Sequence, residues 1–412
     1  MAAEQGIATA EIASSKEILS YSDTLEQTQL DLAQTISREV LGGKKLDVVW
    51  NLTLAANLIS ANVNYGQIDE IEALPGVEKV LIEPVYSPAV VETDTAEPNM
   101  ATSPEMIGTS NAYASGYTGA GRRIAIIDTG TDTDHQSFSG VALDFSLAIQ
   151  AAKNDMTTAE YRESLDLLDV EEIAGVLDRL HVVEKMDSVT AEDLYLSTKL
   201  PFAFNYVDAD LDVTHDTDGT SEHGSHVAGI ATANTYIPNG DGTYSNALEL
   251  TQVQGVAPDA QLITMKVFGK TGGAYSSDYI AAAEDAVLLG ADVINLSLGS
   301  VSVGFSDAAL EYEEVFAGLQ SSDSVVTISA GNSAAWAEYG YTNGYLFSDD
   351  VSLDTVTSPG SFTTALTVAS ADNTGNTRYY FVVDDQIVFY GETSPVCFRR
   401  KCVPWQVSGS IS

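Results

Sequence analysis

Cysteine is almost absent from this sequence. The 412 residues contain only Cys397 and Cys402, both close to the C-terminal end. A chain that depends on disulfides or on thiolate metal ligands distributes its cysteines through the fold. Neither feature can therefore support the first 396 residues.

Basic residues are also scarce. Eighteen Lys and Arg stand against 59 Asp and Glu, and the formal net charge is -41. A surface of this sign repels phosphate backbones, so we expect no nucleic-acid partner. The acidity suits a soluble and extracellular protein, although charge alone does not define a compartment.

Long apolar runs are missing as well. No stretch of about 18 apolar residues occurs, so the sequence predicts no membrane span. The opening residues, MAAEQGIATAEIASSKEIL, lack the basic and apolar segments of a signal peptide. Apolar residues still make up 44% of the chain, which is enough for a core and excludes a disordered protein. The length predicts two or three domains.

Residues 1–91 predict a small α+β domain. Apolar residues recur at helical spacing from about Ser22 to Val40, with Ser22 and Asp23 as a helix-start signal. LDVVWNLTLAANLISANV predicts one or two strands, YGQIDEIEALPGV a short helix, and EKVLIEPVY a further strand. Residues 92–109 are polar, contain prolines and show no periodicity, which predicts a linker.

Residues 110–390 show a different pattern. Short apolar runs that end in glycine-rich turns, such as RRIAIIDTG, QLITMKVFG and ADVINLSLG, alternate with helical stretches. This alternation predicts an α/β fold, a parallel sheet covered by helices on both faces. Ligands bind outside the carboxyl ends of such strands, where Asp128, Ser297 and Asn332 lie. Residues 148–200 interrupt the alternation and predict an inserted helical region.

One acidic segment could concern a metal ion. DADLDVTHDTDG, residues 208–219, begins with the alternating aspartates of a calcium loop. Val213 stands where an EF-hand needs glycine, and Gly219 where it needs glutamate. We interpret the segment as a solvated acidic loop, and the sequence leaves room for a structural calcium ion elsewhere.

Two histidines, His223 and His226, stand three residues apart in SEHGSHVAGIATAN. Zinc-binding helices normally place histidines four apart and add a third ligand, so we expect no metal here. The small residues after His223 predict a tightly packed helix. A histidine at its N-terminus feels positive dipole charge, which favours the neutral imidazole that a general base needs. Taken alone, Asp128 fits a functional carboxylate and a turn residue equally well. Asn332 could donate to a developing oxyanion or could be an ordinary turn asparagine.

Five segments together resemble one family. IIDTG, HGSHVAGI, GVAPDAQLITMKV, INLSLG and SAGN are similar to the signature segments of subtilisin-like serine proteases, in that family's order, over residues 110–390. Ser225 stands where the family usually has threonine. The resemblance implies that His223 is the general base, that Asp128 orients it, and that Asn332 donates to the oxyanion. The reaction that the resemblance implies requires no cofactor. With His223 as the base, His226 is interpreted as a packed structural histidine.

The resemblance also implies where a peptide binds. INLSLGS is similar to the strand that pairs with substrate backbone, which places Ser297, Leu298 and Gly299 on one wall of the cleft. FGKTGGAYS would supply the opposite wall at Gly272 and Gly273. Protein or peptide substrates are the partners that this cleft implies.

The helical region over residues 148–200, with the following KLPFAFNYVDADLDVTHD, resembles the large cell-envelope subtilases of the lactocepin type. The N-terminal unit, which ends in LPGVEKVLIEPVYSP, resembles the domain that precedes their peptidase domain. In such proteins a domain similar to residues 1–91 is an inhibitor-type propeptide, which blocks the cleft and assists folding. The resemblance implies that the chain's own propeptide is a partner. It also implies a secreted or cell-envelope location.

The family's nucleophile has no counterpart that we can find. The family places its serine in a Gly-Thr-Ser-Met-Ala-like turn that opens a helix, and this sequence has no such turn after Asn332. From Pro395 onward the sequence holds both cysteines and three consecutive basic residues but no acid. This composition favours out-of-frame translation in residues 391–412, with a genuine unusual tail as the alternative. The peptidase domain would then be incomplete.

Two functions remain open. The first is a subtilisin-like serine endopeptidase that works through an acyl-enzyme and, as sequenced, stops before its nucleophile. The second is a non-catalytic pseudoprotease or propeptide-bearing fragment that binds peptides or inhibits a related protease. The presence of a serine that His223 can activate would favour the endopeptidase.

Overall fold

The structure, a computed structural model, describes residues 9–86, 103–216, 218, 222–251, 253–270, 272–299, 313, 315–319, 323–332, 356–371, 379–383 and 386–390. The predicted tail, residues 391–412, and most of the predicted linker lie outside the described residues. The helices are α1 Thr9–Ile12, α2 Lys16–Glu39, α3 Ile68–Glu72, α4 Ser103–Met106, α5 Thr109–Ala114, α6 Gly140–Lys153, α7 Thr158–Glu163, α8 Val170–Val176, α9 Val182–Lys185, α10 Ala191–Leu194, α11 His223–Thr232, α12 Ala247–Leu250 and α13 Ser276–Leu288. The strands are β1 Asp47–Leu52, β2 Leu58–Asn62, β3 Val85–Tyr86, β4 Arg123–Asp128, β5 Phe202–Asn205, β6 Tyr236–Pro238, β7 Tyr244–Asn246, β8 Gln261–Lys266, β9 Ala274–Tyr275, β10 Val293–Leu296, β11 Val325–Ser329, β12 Leu366–Val368, β13 Tyr379–Val383 and β14 Gln386–Tyr390.

A six-stranded sheet forms the centre of the molecule. Its strand order is β12-β11-β10-β4-β8-β5, and every neighbouring pair is parallel. The predicted α/β class is confirmed. Because the strands are parallel, the carboxyl ends of β4, β10 and β11 meet at the same edge of the sheet.

Helices cover both faces of the sheet. Successive side chains of a strand point to opposite faces, so neighbouring residues of one strand pack into different apolar clusters. In β4, Ala125 and Ile127 belong to the main apolar core, whereas Ile126 belongs to a second cluster that includes Ala228 of α11. Helix α13 contributes to the main core and is buried at every position. Strand β4 therefore lies between α11 on one face and α13 on the other.

The N-terminal unit, described over residues 9–86, has the predicted α+β elements with shifted boundaries. Helix α2 begins at Lys16, not near Ser22, because the Ser15 hydroxyl caps it by accepting from the Ile18 N–H. Ser22 lies inside the helix and its hydroxyl bonds to that of Thr53 instead. Within EKVLIEPVY, only the last two residues form a strand, β3, because only these find a ladder partner.

The region predicted to be an inserted helical segment contributes to the main core. It carries Leu168, Ile173 and Leu180 into the same apolar cluster as strand β8, with Ile173 from helix α8 and the other two from the segments beside it. The side chain of Gln261, the first residue of β8, accepts from the Leu168 N–H at 2.7 Å. It also donates to the carbonyls of Leu168 and Thr198 at 3.0 and 2.9 Å. One buried amide thus joins the segment to the sheet.

Other predicted boundaries also change. The last residues of the predicted linker are helical, as α4 and the first residue of α5. Among the described residues, none of the helices is long and apolar enough to cross a membrane.

Replacing Gln261 with leucine should destabilise the protein. The substitution keeps the volume but leaves three buried backbone groups without partners, each costing about 1–3 kcal/mol. We expect the free energy of unfolding in urea to fall by about 3 kcal/mol or more. The matched control is Gln136→Leu at an exposed position, which should change stability by less than about 0.5 kcal/mol. Equal effects of the two substitutions would contradict the role of the Gln261 amide.

Candidate active site

Asp128 and His223 meet at the carboxyl edge of the sheet. Asp128 is the last residue of β4, and His223 is the first residue of α11. The His223 Nδ1 lies 2.8 Å from the Asp128 Oδ1, although the residues are 95 positions apart. The same carboxylate oxygen accepts the Thr129 N–H at 2.7 Å, and the Asp128 side chain is 1% exposed.

A close backbone approach brings the two residues together. A Cβ atom added at Gly224 would overlap the carbonyl oxygen of Gly130, so the start of α11 can lie against the turn after β4 only because Gly224 has no side chain. The Gly224 N–H donates to the Thr129 hydroxyl at 2.9 Å. The Ser225 hydroxyl accepts the Asp132 N–H at 2.8 Å. Ser225, which departs from the family's usual threonine, thus has a structural contact of its own.

Asp128 controls the protonation of His223. Burial lowers the pKa of His223, but the hydrogen bond and the negative charge of Asp128 together raise it above the ordinary value. The direction of this shift is opposite to the one expected from the helix N-terminus alone, because Asp128 favours the imidazolium. With its Nδ1 proton donated to Asp128, a neutral His223 presents the lone pair of Nε2. Among the described residues, no serine hydroxyl forms a hydrogen bond with that nitrogen.

His226 is exposed, so its prediction as a packed histidine is wrong. The buried positions of α11 are Gly224, Ala228 and Thr232, which recur every four residues. His226 lies two residues from the nearest of them and points to the other side of the helix, as does the exposed Ile230.

The residues predicted on the first wall follow β10 directly. Ser297 accepts a hydrogen bond from the Asn295 amide at 2.9 Å. Leu298 is buried in the main core, and its carbonyl accepts from the Ser329 hydroxyl at 3.3 Å. Gly299 is half-buried, and a Cβ there would overlap the Thr357 hydroxyl.

Asn332 lies beyond the end of β11 and is exposed. The preceding residue, Gly331, has a φ of 88°. A Cβ at Gly331 would overlap Thr357, as it would at Gly299. Thr357 therefore packs between the segments that follow β10 and β11. Sequence analysis did not identify Thr357, because it belongs to neither motif.

The segment predicted to form the second wall leads into a strand that pairs with the N-terminal unit. Gly272 and Gly273 precede β9, which pairs antiparallel with β3 of the N-terminal unit. A Cβ at Gly273 would lie 3.1 Å from a methyl group of Val85. Tyr86 is fully buried, and its ring lies edge-on to that of Tyr279, with the centroids 5.5 Å apart. Burial raises the pKa of the Tyr86 phenol, which stays protonated.

The acidic segment is more than a solvated loop. Val213 is buried, and its carbonyl accepts the Thr131 N–H at 2.8 Å. Asp218 is also buried and forms an ion pair with Lys266 at the end of β8. In the part of the chain that the structure describes, no group of three His, Cys, Asp or Glu is arranged to hold a metal ion. Lys266, which stands opposite Asp128 in the ladder, was missed because it lies within an apolar strand pattern.

Substituting Asp128 with asparagine should lower the pKa of His223. The change removes the charge and the acceptor that favour the imidazolium, while burial remains, so the shift should be about one to three pH units downward. The measurement is the NMR titration of the His223 ring proton signals. Exposed His226 in the same sample is the control and should not move. An unchanged His223 pKa would contradict the pairing.

Several known proteins are similar to this chain. The Subtilase family model matches residues 119–407. The PII-type proteinase of Lacticaseibacillus paracasei is 32% identical over 325 residues, which are 77% of this chain and 14% of that protein. The PI-type proteinase of Lactococcus lactis subsp. cremoris shows the same identity and coverage. The C5a peptidase of Streptococcus pyogenes is 28% identical over 257 residues, 61% of this chain and 18% of that protein.

One solved structure, the epidermin leader peptide processing serine protease of Staphylococcus aureus, is similar with a TM-score of 0.48 and 15% identity. The similarity covers 83% of this chain and 66% of the chain in that structure. The chain spans only about a seventh of the proteinases that it matches. The family match nevertheless extends over more than half of the chain, and the chain belongs to the Subtilase family.

Proposed function

We propose that this chain carries the base and oxyanion parts of a subtilisin-like serine endopeptidase site, covered by its own N-terminal unit. The observation that carries the proposal is the 2.8 Å contact between His223 Nδ1 and the buried Asp128 carboxylate. The family membership supports it, because subtilases are serine peptidases. Protein or peptide substrates are the partners that follow.

The proposed chemistry follows from the orientation of His223. A substrate-attacking serine hydroxyl would give its proton to His223 Nε2 while its oxygen bonds to the scissile carbonyl carbon. Asp128 would hold the ring in the required tautomer and stabilise the imidazolium that forms. The imidazolium would then return the proton to the leaving amine. Water would hydrolyse the acyl-enzyme by the same proton transfers in reverse.

The Asn332 amide would act on the carbonyl oxygen. As the serine attacks, negative charge develops on that oxygen, and a carboxamide N–H can donate to it. Asn332 suits this role because it is exposed and follows the end of β11, at the carboxyl edge of the sheet. Thr357, packed between Gly299 and Gly331, would limit the depth of the cleft between the two segments.

We propose that the chain as sequenced binds peptides without hydrolysing them. The sequence has no Gly-Thr-Ser-Met-Ala turn after Asn332. Within the described residues, His223 Nε2 has no serine partner. The base would then lack a hydroxyl to activate, whatever its own pKa.

The N-terminal unit would act as the inhibitor-type propeptide. Strand β3 lies on β9, beside the glycines proposed for one wall of the cleft, in the antiparallel arrangement that an extended peptide would adopt. This pairing also favours the second candidate function, a non-catalytic fragment that binds peptides or inhibits a related protease. By resemblance to the lactocepin-type subtilases, we propose a secreted or cell-envelope location. No cofactor is proposed for the reaction, and a structural calcium ion remains compatible with it.

Labelling with a fluorophosphonate probe decides between the two candidates. We expect the purified chain, with the sequence given, to show no labelled serine, because no hydroxyl is activated by His223. His223→Ala and the exposed-histidine control His226→Ala should behave identically to the parent. A serine that is labelled in the parent and in His226→Ala but not in His223→Ala would contradict the missing nucleophile and establish the endopeptidase.

A further inference from the structure

The first turn of α13 is a contact point between the N-terminal unit and the peptidase domain. Asp278, in that turn, is 5% exposed. Its Oδ1 accepts the indole N–H of Trp50, from β1, at 2.8 Å. Its Oδ2 accepts the Tyr275 N–H at 3.4 Å. Trp50 itself is fully buried, so the N-terminal unit seals this carboxylate from water.

The N-terminal unit also brings a second carboxylate to the same turn. Glu83, two residues before β3, accepts the Ser277 N–H. Its other oxygen accepts from the Ser60 hydroxyl at 3.3 Å, and Ser60 contacts the Ser277 hydroxyl at 3.1 Å. When the unit is seated, two acidic side chains from different parts of the chain therefore face each other at the first turn of α13.

A cation, Lys185, lies close enough to Asp278 to act on its charge. The Lys185 ammonium, at the end of α9, lies 3.9 Å from the centre of the Trp50 ring and donates to the Val49 carbonyl at 2.7 Å. Its charge partly offsets the repulsion at Asp278. It is already engaged with β1, however, and burial lowers the pKa of Lys185.

We propose that the placement of Asp278 and Glu83 at the first turn of α13 makes the seating of the N-terminal unit depend on pH, with the unit held most firmly in acid and loosened as pH rises towards neutrality. The inference rests on the proposed role of the N-terminal unit as the cover of the cleft. The device would keep the cleft covered in acidic surroundings and permit release at neutral pH.

The direction follows from which form of Asp278 the seated state prefers. Burial raises the pKa of Asp278 to about 6; the Trp50 hydrogen bond lowers it and the Glu83 charge raises it further. Removing the N-terminal unit would return Asp278 to water and take Glu83 away, so its pKa would fall towards the ordinary value. The seated state therefore binds the proton more tightly. Its stability is full below the unseated pKa, declines between about pH 4 and 6, and is constant above that window.

Hydrogen exchange of the full chain tests the proposal. The informative amides are those of Thr53–Ala56, which donate to the Glu284 carboxylate of α13 only while the unit is seated. After correction for the intrinsic exchange rate, their protection should fall by at most about tenfold per pH unit between pH 4 and 6, and change little above pH 6.5. Amides of β4 and β8 should remain protected throughout, because the sheet does not take part.

Two variants assign the effect. Asp278→Asn keeps an acceptor for the Trp50 N–H but cannot ionise, so protection should be high and independent of pH. Glu83→Gln removes the facing charge and should move the decline to lower pH; it also serves if Asp278→Asn does not fold. Asp69→Asn, an exposed carboxylate on the same unit, is the control and should leave the profile unchanged.

The outcomes separate this proposal from the proposed function. A profile that is flat from pH 4 to 7 with Thr53–Ala56 protected would overturn the pH dependence and leave the propeptide role intact. Lower protection of Asp278→Asn than of the parent at every pH would also overturn it. Absence of protection at every pH would overturn both, because the unit would not be seated at all.

Discussion

Helix α13 is buried along its whole length and nevertheless carries carboxylates, and the rest of the structure is arranged around them. A buried charge is tolerated only when other groups solvate it. Glu284 receives the backbone N–H groups of Thr53–Ala56, from the turn between β1 and β2. It also contacts the ring of His181 at 2.8 Å. Burial lowers the pKa of His181, but the hydrogen bonds to Glu184 and Glu284 and the charge of Glu284 raise it well above the ordinary value, which favours a protonated ring between these two acids.

The partners of α13 come from three different parts of the chain, so the parts cannot be placed independently. Asp285 accepts hydrogen bonds from the hydroxyl of Tyr206, which follows β5, and from the backbone N–H of His181. Burial raises its pKa to about 7. Asp278 accepts from Trp50 of the N-terminal unit. Because β9 ends where α13 begins, seating the N-terminal unit on this helix also lays β3 on β9, beside the proposed cleft. The packing of one acidic helix thereby places β3 on β9.

The sequence predicted the local patterns well and the long-range polar contacts poorly. The alternation of apolar runs predicted the parallel sheet and placed Asp128 at the end of a strand, and the family resemblance paired Asp128 with His223. The exposure of His226 was missed because helix periodicity alone does not say which face is covered. Lys266 and Gln261 lie at the two ends of an apolar strand. Their side chains bond to the carbonyls of Thr214 and Thr198, which are tens of positions away in the sequence. No local signal indicates such contacts.

The scarcity of cysteine allows a direct test of the central claim, that the N-terminal unit is seated on α13. With Cys397 and Cys402 replaced by serine, Ser60→Cys and Ser277→Cys would introduce the only thiols, in place of two hydroxyls 3.1 Å apart. Mild oxidation followed by peptide mass mapping should show a disulfide between positions 60 and 277 in nearly all molecules. A control pair with exposed Ser164→Cys in place of Ser277→Cys should remain reduced. Free thiols at positions 60 and 277 after oxidation would contradict the seating of the N-terminal unit.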